Sequence, residues 1–250
     1  MASREDMSTS FGRMVGEYEA GRPGYPLAAV AWMLEPATIT GNPLRAADVG
    51  AGTGKLTRVL AETGADVIAV DPDADMLAAL RAELPDVPTL AGTAEQIPVP
   101  DGSLDAVVLG QAWHWVDPVA GSAEVGRTLR PGGVLGLVWN IRDDRAEWVA
   151  RMTEIMHQSN AEIMMSEGGP RVTAPFGPLE EARFEWSRPM TADRLLAMAR
   201  SRSYLITATA DDRARIEGDL LDLFDELPEL SSGGEIELPY VTRAFRAVRP

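Results

Sequence analysis

The sequence predicts an α/β fold in which helices cover a doubly wound, mostly parallel sheet. From residue 44 to residue 140, short β-rich runs alternate with segments whose apolar residues keep helical spacing. Repeated strand, tight turn and helix units of this kind are typical of parallel sheets. A glycine-rich turn follows the first strand, and an aspartate ends the second. Ligands of such sheets bind beyond the carboxyl ends of the strands, which is where both features fall.

Five strands are predicted in this part of the chain, at residues 44–49, 66–71, 87–90, 104–109 and 134–140. The helix after the first strand has Leu56, Val59 and Leu60 on one face, and the helix after the second has Met76, Leu77, Leu80 and Leu84. The stretch "LRPGG" at residues 129–133 is expected to end the following helix with a turn before the fifth strand.

The remaining chain is expected to add an insertion and complete the sheet. Helical spacing marks the insertion at Trp148, Met152, Ile155, Met156 and Ile163. "ARFEWSRPM" is predicted as a strand, helices follow near Leu195 to Ala199 and around Ile216 to Leu227, and residues 235–248 form a closing strand. Pro239 suggests that this last strand is an edge or contains a bulge. We expect one domain over 1–250, with a helical lid at 141–181 and sheet completion at 182–250.

Composition narrows the class of protein. A net charge of −15 and a pI near 4.6 argue against nucleic acid as a partner, because phosphate binding needs a basic face. No cysteine is present and His114 and His157 are the only histidines, so no metal site is predicted. The start of the chain lacks a signal-peptide pattern and no long apolar run follows, which predicts a cytoplasmic protein without membrane contact.

The glycine loop "DVGAGTGKLT" at residues 48–57 fits neither of two phosphate-binding motifs. A P-loop requires glycine where Val49 stands and a hydroxyl residue where Leu56 stands. The dinucleotide fingerprint requires a third glycine at Lys55, one residue after the actual Gly54. A nicotinamide-dependent oxidoreductase is therefore disfavoured.

The loop together with "VIAVDPDADML", "AGTAEQIP" and "LRPGG" resembles class I S-adenosylmethionine-dependent methyltransferases. The resemblance implies a Rossmann-like, seven-stranded, doubly wound sheet whose last strand is antiparallel, with residues 44–140 binding the cofactor and 1–43 covering it. It further implies S-adenosyl-L-methionine as cofactor and S-adenosyl-L-homocysteine as product. Asp71 would bind both ribose hydroxyls. The other implied cofactor residues are Asp48, Gly50, Ala51, Gly52, Gly54, Pro72, Met76, Thr93, Ala94 and Glu95.

Two further stretches, "YEAGRPGYP" at 18–26 and "QAWHWVDP" at 111–118, resemble small-molecule methyltransferases with the type 11 domain, a group that includes trans-aconitate methyltransferase-like enzymes. In that group the first stretch folds over the cofactor, so Tyr18 and Arg22 would close on the methionine carboxylate; a surface turn is the alternative. The second stretch faces the acceptor. It would place Gln111 and Ala112 at the cofactor and Trp113, His114 and Trp115 at the acceptor.

Methyl transfer is an in-line displacement, for which an enzyme mainly supplies proximity, alignment and exclusion of water. A base is needed only for a protonated acceptor, and His114 is the candidate; a packing role between two tryptophans is the alternative. Strand-like alternation would place Trp113 and Trp115 on one face, as an acceptor wall or as core. We expect methylation of a small molecule at oxygen, nitrogen or a carboxylate. The alternative is a catalytically silent cofactor-binding regulator or scaffold, and either protein could form a homodimer.

Overall fold

The computed structural model describes residues 23–37, 42–202, 205 and 208–250. Its strands are β1 (Arg45–Val49), β2 (Asp66–Asp71), β3 (Thr89–Ala91), β4 (Leu104–Gly110), β5 (Leu129–Arg142), β6 (Glu180–Met190) and β7 (Ile236–Val248). They form one sheet in the order β3-β2-β1-β4-β5-β7-β6. Six strands are parallel and the last is antiparallel, which confirms the predicted fold class.

The described helices are α1 (Leu27–Leu34), α2 (Lys55–Glu62), α3 (Ala74–Glu83), α4 (Pro118–Thr128), α5 (Glu147–Met156), α6 (Asn160–Ser166), α7 (Ala192–Arg200), α8 (Ala210–Asp225) and α9 (Pro228–Ser231). Short 3-10 turns lie at Glu35–Ala37 and Trp113–Trp115. No helix in the described part of the chain is both long and apolar enough to cross a membrane.

Parallel pairing brings the carboxyl ends of four strands to one edge of the sheet. Asp48 of β1 pairs with Ala69 of β2 and with Val108 of β4, and Asp71 of β2 pairs with Ala91 of β3. The central strands β1 and β4 are buried almost throughout, as expected for a sheet covered on both faces. The loops that leave these strand ends therefore lie side by side.

Side-chain caps fix where two of the following helices begin. Asp73 accepts hydrogen bonds from the backbone N–H groups of Asp75 and Met76 at the start of α3. Asp117 accepts from Val119 and Ala120 at the start of α4. Such caps stabilise a helix by about 1 kcal/mol each. The segments that lead into α3 and α4 therefore end at defined residues.

The chain divides into two compact units. The first contains residues 24–140, 168–184 and 242–250, and the second contains 141–167 and 185–241. The core of the first unit packs α1 and α2 against β1, β4 and β5, through residues such as Met33, Leu60 and Val108. The second unit has its own core, built from α5, α7 and α8 around Met152, Leu195 and Leu220.

The structure corrects the start of the fifth strand. Leu104 pairs with Leu129 and Ala106 pairs with Val134, so three extra residues of β5 bulge out between these pairs. Gly132 has a φ of +78°, which glycine adopts without steric cost. The Pro-Gly-Gly segment therefore lies inside a strand that begins at Leu129, not in a turn before it.

The edge interpretation of Pro239 is also wrong, because β7 lies between β5 and β6. The edge strand is β6, whose exposed side is charged: Arg183 and Arg243 both bind Glu181. Charged side chains on an edge strand discourage pairing with another chain. Pro239 thus predicted that β7 is the edge strand, whereas the edge is its neighbour β6.

Candidate functional site

The glycine loop between β1 and α2 adopts a conformation that only glycine tolerates well. Gly50, Gly52 and Gly54 have φ values of +71°, +55° and +90°. A Cβ on Gly50 would lie 2.8 Å from the Cβ of Ala112, and a Cβ on Gly54 would lie 2.9 Å from Leu80 Cγ. The loop thus needs its glycines both for backbone conformation and for close approach to the loop after β4.

Asp71, at the end of β2, ties this loop to its own strand. One carboxylate oxygen accepts the backbone N–H of Gly52 at 2.8 Å, and the other accepts that of Asp73 at 2.8 Å. Burial raises the pKa of the Asp71 carboxyl, while these two hydrogen bonds lower it. Each oxygen keeps a further acceptor site, so the residue can bind a pair of hydroxyl groups without releasing the loop.

Asp48 lies at the end of β1 and is fully buried. Its Oδ2 accepts the hydroxyl of Thr57 at 2.6 Å, whereas its Oδ1 has no hydrogen-bond partner. Burial raises the pKa of Asp48 to about 7, the Thr57 hydroxyl lowers it, and the nearby charge of Asp71 raises it again. An unsatisfied buried carboxylate oxygen is costly and needs a physical reason.

Thr53, within the glycine loop, is a second buried residue with an oxygen that has no hydrogen-bond partner. The residue is 4% exposed and its Oγ1 has no hydrogen-bond partner. Two orphaned oxygens, on Asp48 and Thr53, thus accompany the three left-handed glycines. Both can accept hydrogen bonds, so they fit a ligand that brings N–H donors or positive charge to this loop.

The residues expected near an adenine differ in exposure. Met76 and Ala94 are buried, while Pro72 and Thr93 are exposed. The segment from Thr93 to Gln96 closes on itself through two backbone hydrogen bonds. Glu95 accepts the backbone N–H of Asp117 at 2.9 Å, so its carboxylate also anchors the start of α4.

The loop after β4 begins with strained backbone. Gln111 has a φ of +55°, which is rare for a residue with a side chain. Its backbone N–H donates to Val138 at 2.9 Å, and its side-chain amide donates to the carbonyl of Asn140 at 3.0 Å. Strain of this kind persists only where surrounding contacts fix it, and it occurs often at binding sites.

The structure separates the two tryptophans that follow. Residues 113–115 form a 3-10 turn, not a strand. The predicted strand-like alternation, which would place both rings on one face, is therefore wrong. Trp113 is 2% exposed and its indole N–H donates to the Arg171 carbonyl at 2.9 Å. Trp115 is half-buried and its ring lies 4.9 Å from that of His114. Trp113 is therefore packed as core, and Trp115 accompanies His114.

His114 is bound by a residue that the sequence did not single out. Its Nδ1 accepts the indole N–H of Trp139 at 3.3 Å. Trp139 belongs to β5, adjacent to the strand that precedes His114. The sequence carried one signal for this contact: the strand "VLGLVWN" is an apolar run that ends in a tryptophan and an asparagine, two residues that can donate hydrogen bonds.

Asn140 and Tyr25 are two further residues that sequence reasoning missed. Asn140 is buried; its amide donates to the Gly24 carbonyl at 2.9 Å and its Oδ1 accepts the Thr242 hydroxyl at 2.7 Å. A Cβ added to Gly110 would lie 2.6 Å from the Tyr25 hydroxyl, so Tyr25 covers the end of β4. Tyr18 and Arg22, expected over the cofactor, lie outside the described residues.

Comparison with known proteins agrees with this geometry. A family model described as a methyltransferase domain matches residues 47–137. A Mycobacterium tuberculosis protein named as an uncharacterized methyltransferase is 47% identical over 98% of both chains. A methyltransferase-like protein of Schizosaccharomyces pombe is 32% identical over 98% of this chain and 97% of its own.

A solved structure from Anaeromyxobacter dehalogenans, described provisionally as a type II methyltransferase, is also similar. Its TM-score is 0.62 at 25% identity, with 91% of this chain and 97% of the other covered. Nothing in these similarities selects the trans-aconitate-like subgroup, which stays a prediction. Among the described residues, no three histidine or acidic side chains are grouped to hold a metal ion.

Proposed function

The chain belongs to the S-adenosylmethionine-dependent methyltransferases, and on that premise we propose that it methylates a small-molecule acceptor bound at the carboxyl end of β4. One observation carries the proposal most directly. The buried Oδ1 of Asp48 and Oγ1 of Thr53 lack partners beside a loop of three left-handed glycines. Such a loop suits a positively charged ligand with N–H donors better than a phosphate.

The cofactor supplies, when bound, a methyl group made electrophilic by its sulfonium. Asp71 would hold the two ribose hydroxyls with its two carboxylate oxygens, since both retain acceptor capacity. Asp48 and Thr53 would accept donors from the charged amino acid part, and Ala51 with the three glycines would allow its close approach. Met76, Pro72 and the 93–95 segment would border the adenine.

At the other end of the site, His114 is the residue that we expect to contact the acceptor. It follows β4 through the strained Gln111, so small changes in the β4 loop would move it. Trp115 would line the same place, because its ring lies against that of His114. The segments 1–43 and 141–181 stay predicted as cofactor cover and acceptor lid. Cytoplasmic location, a homodimer and the lack of nucleic-acid partners also stay predictions.

The experiment is a methylation assay by mass spectrometry with a panel of small carboxylic acids, phenols and amines. Asp71→Asn should reduce product at least tenfold, because one neutral amide cannot accept from two hydroxyls and bind the loop as well. Asp86→Asn is the matched control: it makes the same change on an exposed acid outside the site and should leave the rate unchanged.

Two outcomes would contradict the proposal. A rate that is equal in Asp71→Asn and wild type would remove Asp71 from the site. Cofactor binding without a mass increase of one methyl group on any acceptor would favour the catalytically silent alternative.

A further inference from the structure

The segment that follows β3, residues 92–101, is held only in part by its own backbone. Thr93 and Gln96 exchange two backbone hydrogen bonds, and the Val99 N–H donates to the Ile97 carbonyl at 2.8 Å. A loop with so few internal hydrogen bonds keeps one conformation only where other elements bind its polar groups. Side chains of α4 provide these contacts.

Arg127 of α4 makes most of them. Its Nη2 donates to the Ile97 carbonyl and its Nη1 to the Val99 carbonyl, both at 2.9 Å. Nη1 also donates to the Asp101 carboxylate. Nε and Nη2 donate to the two carboxylate oxygens of Glu124, at 2.8 Å each. A guanidinium has five N–H donors, so every donor of Arg127 has an acceptor.

Glu124 binds the same segment through an N–H group. Its Oε1 accepts the backbone N–H of Ile97 at 2.8 Å, while Arg127 binds both of its oxygens. The hydrogen bond from Arg127 lowers the pKa of Glu124, so the carboxylate is ionised at neutral pH. Together Arg127 and Glu124, here called the clamp, bind both backbone polar groups of the buried Ile97.

The segment begins beside the residue proposed to bind the ribose. Ala91, the last residue of β3, pairs with Asp71, and the Gly92 N–H donates to the Asp71 carbonyl at 3.3 Å. A Cβ at Gly92 would lie 2.8 Å from Pro98 Cδ and 3.0 Å from Val70 Cγ1, so the segment packs closely against β2.

The strand order β3-β2-β1-β4 puts the glycine loop on the β1 side of Asp71 and the segment on its β3 side. In S-adenosylmethionine, the base and the amino acid part leave opposite sides of the ribose. A cofactor whose ribose binds Asp71 and whose amino acid part lies at the glycine loop therefore extends its base toward the segment.

We propose that Arg127 is a positioning residue: through the clamp with Glu124 it holds residues 92–99 in the conformation that receives the adenine of the cofactor. This inference rests on the proposed function, and it assigns part of the cofactor affinity to a side chain outside the glycine loop and Asp71. Arginine is required, because the three donors of a lysine leave one nitrogen and cannot reach two carbonyls and a carboxylate at once.

Calorimetric titration with S-adenosylhomocysteine compares Arg127→Lys with wild type. The dissociation constant should rise at least tenfold, because the segment loses the hydrogen bonds that fix it. Glu124→Gln should act in the same direction, since it gives Arg127 an amide donor where it needs an acceptor. Unchanged affinity in both variants would overturn the proposal.

Arg130→Lys is the matched control. Arg130 is also partly buried and donates to Asp105 and to two backbone carbonyls. Asp105 lies near the start of β4, at the opposite end of that strand from the site. Both lysine variants should therefore lose stability in chemical denaturation, but only Arg127→Lys should lose affinity. Equal losses of affinity in the two would show that Arg127 acts only on the stability of the fold and would overturn the proposal.

Adenosine distinguishes the base end of the site from the amino acid end, because it has the base and the ribose alone. In competition with S-adenosylhomocysteine, its affinity should fall in Arg127→Lys by about the same factor as that of the larger ligand. In Gly50→Ala, which changes the glycine loop, adenosine should lose clearly less than S-adenosylhomocysteine. An adenosine affinity that is unchanged in Arg127→Lys, or adenosine that does not compete even in wild type, would overturn the proposal.

Hydrogen exchange without ligand tests the clamp separately from the cofactor. By mass spectrometry, peptides that cover residues 92–101 should exchange faster in Arg127→Lys than in wild type, while peptides of β1 and β4 should exchange equally. Unchanged exchange in residues 92–101 would refute the clamp even if S-adenosylhomocysteine binds. If wild type binds no S-adenosylhomocysteine, the proposed function fails and the role toward adenine fails with it; faster exchange then shows that the clamp is not the cause.

Discussion

The two ends of the site differ in what fixes their geometry. The glycine loop is held mainly by hydrogen bonds to the neighbouring end of β2, about 20 residues along the chain: the Gly52 N–H donates to Asp71 and the Gly50 N–H donates to Val70. The end proposed for the acceptor is held by side chains that are far apart in the chain: His114 contacts Trp139, and Asn140 contacts Gly24 and Thr242. The first end is therefore encoded in a short motif, whereas the second depends on the assembled sheet.

The largest effect is expected from substitution of Asp48, the buried acid with one carboxylate oxygen that has no hydrogen-bond partner. Burial raises the pKa of Asp48 from 3.8 to about 7, so the folded protein holds one more proton than the unfolded chain between these values. Stability from this group therefore falls as pH rises through that window. Asp48→Asn removes the effect, and its unfolding free energy relative to wild type should rise by up to about 4 kcal/mol from pH 4 to pH 8.

Chemical denaturation of both proteins across that pH range measures this difference. Wild type and Asp48→Asn should converge at low pH and separate near neutrality. A constant difference at all pH values would show that Asp48 ionises normally in the fold.

Gly50→Ala tests the close approach between the two loops. The new Cβ would lie 2.8 Å from Ala112 in addition to the strain of a positive φ. We expect cofactor affinity to fall about 100-fold, equivalent to about 2.7 kcal/mol, in calorimetric titration. Gly64→Ala is the control: it has a φ of +81° and nothing within 4 Å of the new atom, so it should lower stability without changing affinity.

Asn140→Ala tests the acceptor end. It removes the hydrogen bonds of Asn140 with the Gly24 carbonyl and with the buried Thr242 hydroxyl, so we expect a loss of about 2 kcal/mol in unfolding free energy. Thr242→Ser keeps the hydroxyl and should cost clearly less. If Asn140→Ala had the same unfolding free energy as Thr242→Ser, the hydrogen bonds of Asn140 would contribute little to this end of the site.

The smallest effect is expected at Trp113. Trp113→Phe removes the indole N–H donated to Arg171 but keeps an aromatic ring in the core. The expected loss is about 1 kcal/mol, measured as a lower midpoint of denaturation. A loss above about 3 kcal/mol would mean that the ring volume, and not the hydrogen bond, dominates at this position.

The sequence could predict the glycine loop because its backbone conformation follows from local residues, whereas the role of Asp71 rests on the family resemblance and stays a prediction. The spacing of the three glycines is visible in the sequence, and all three have φ above +50° in the structure. By contrast, the interaction of Asn140 with Gly24 spans 116 residues and carries no local pattern. Trp113 was also out of reach, because the run of alternating aromatic residues resembles a strand and yet forms a 3-10 turn.

The start of β5 shows the same limit. A Pro-Gly-Gly segment usually marks a turn, but here the pairing of Leu104 with Leu129 continues the strand around it. Pairing with a neighbouring strand is a tertiary contact, so the local signal alone placed the boundary five residues late.

Calorimetric titration at neutral pH tests the central claim most directly. S-adenosylmethionine, S-adenosylhomocysteine and NADPH would each be added to wild type and to Asp71→Asn. The account predicts that wild type binds both sulfur compounds and not NADPH, and that Asp71→Asn weakens both by at least tenfold. Binding of NADPH at concentrations where neither sulfur compound binds would contradict it.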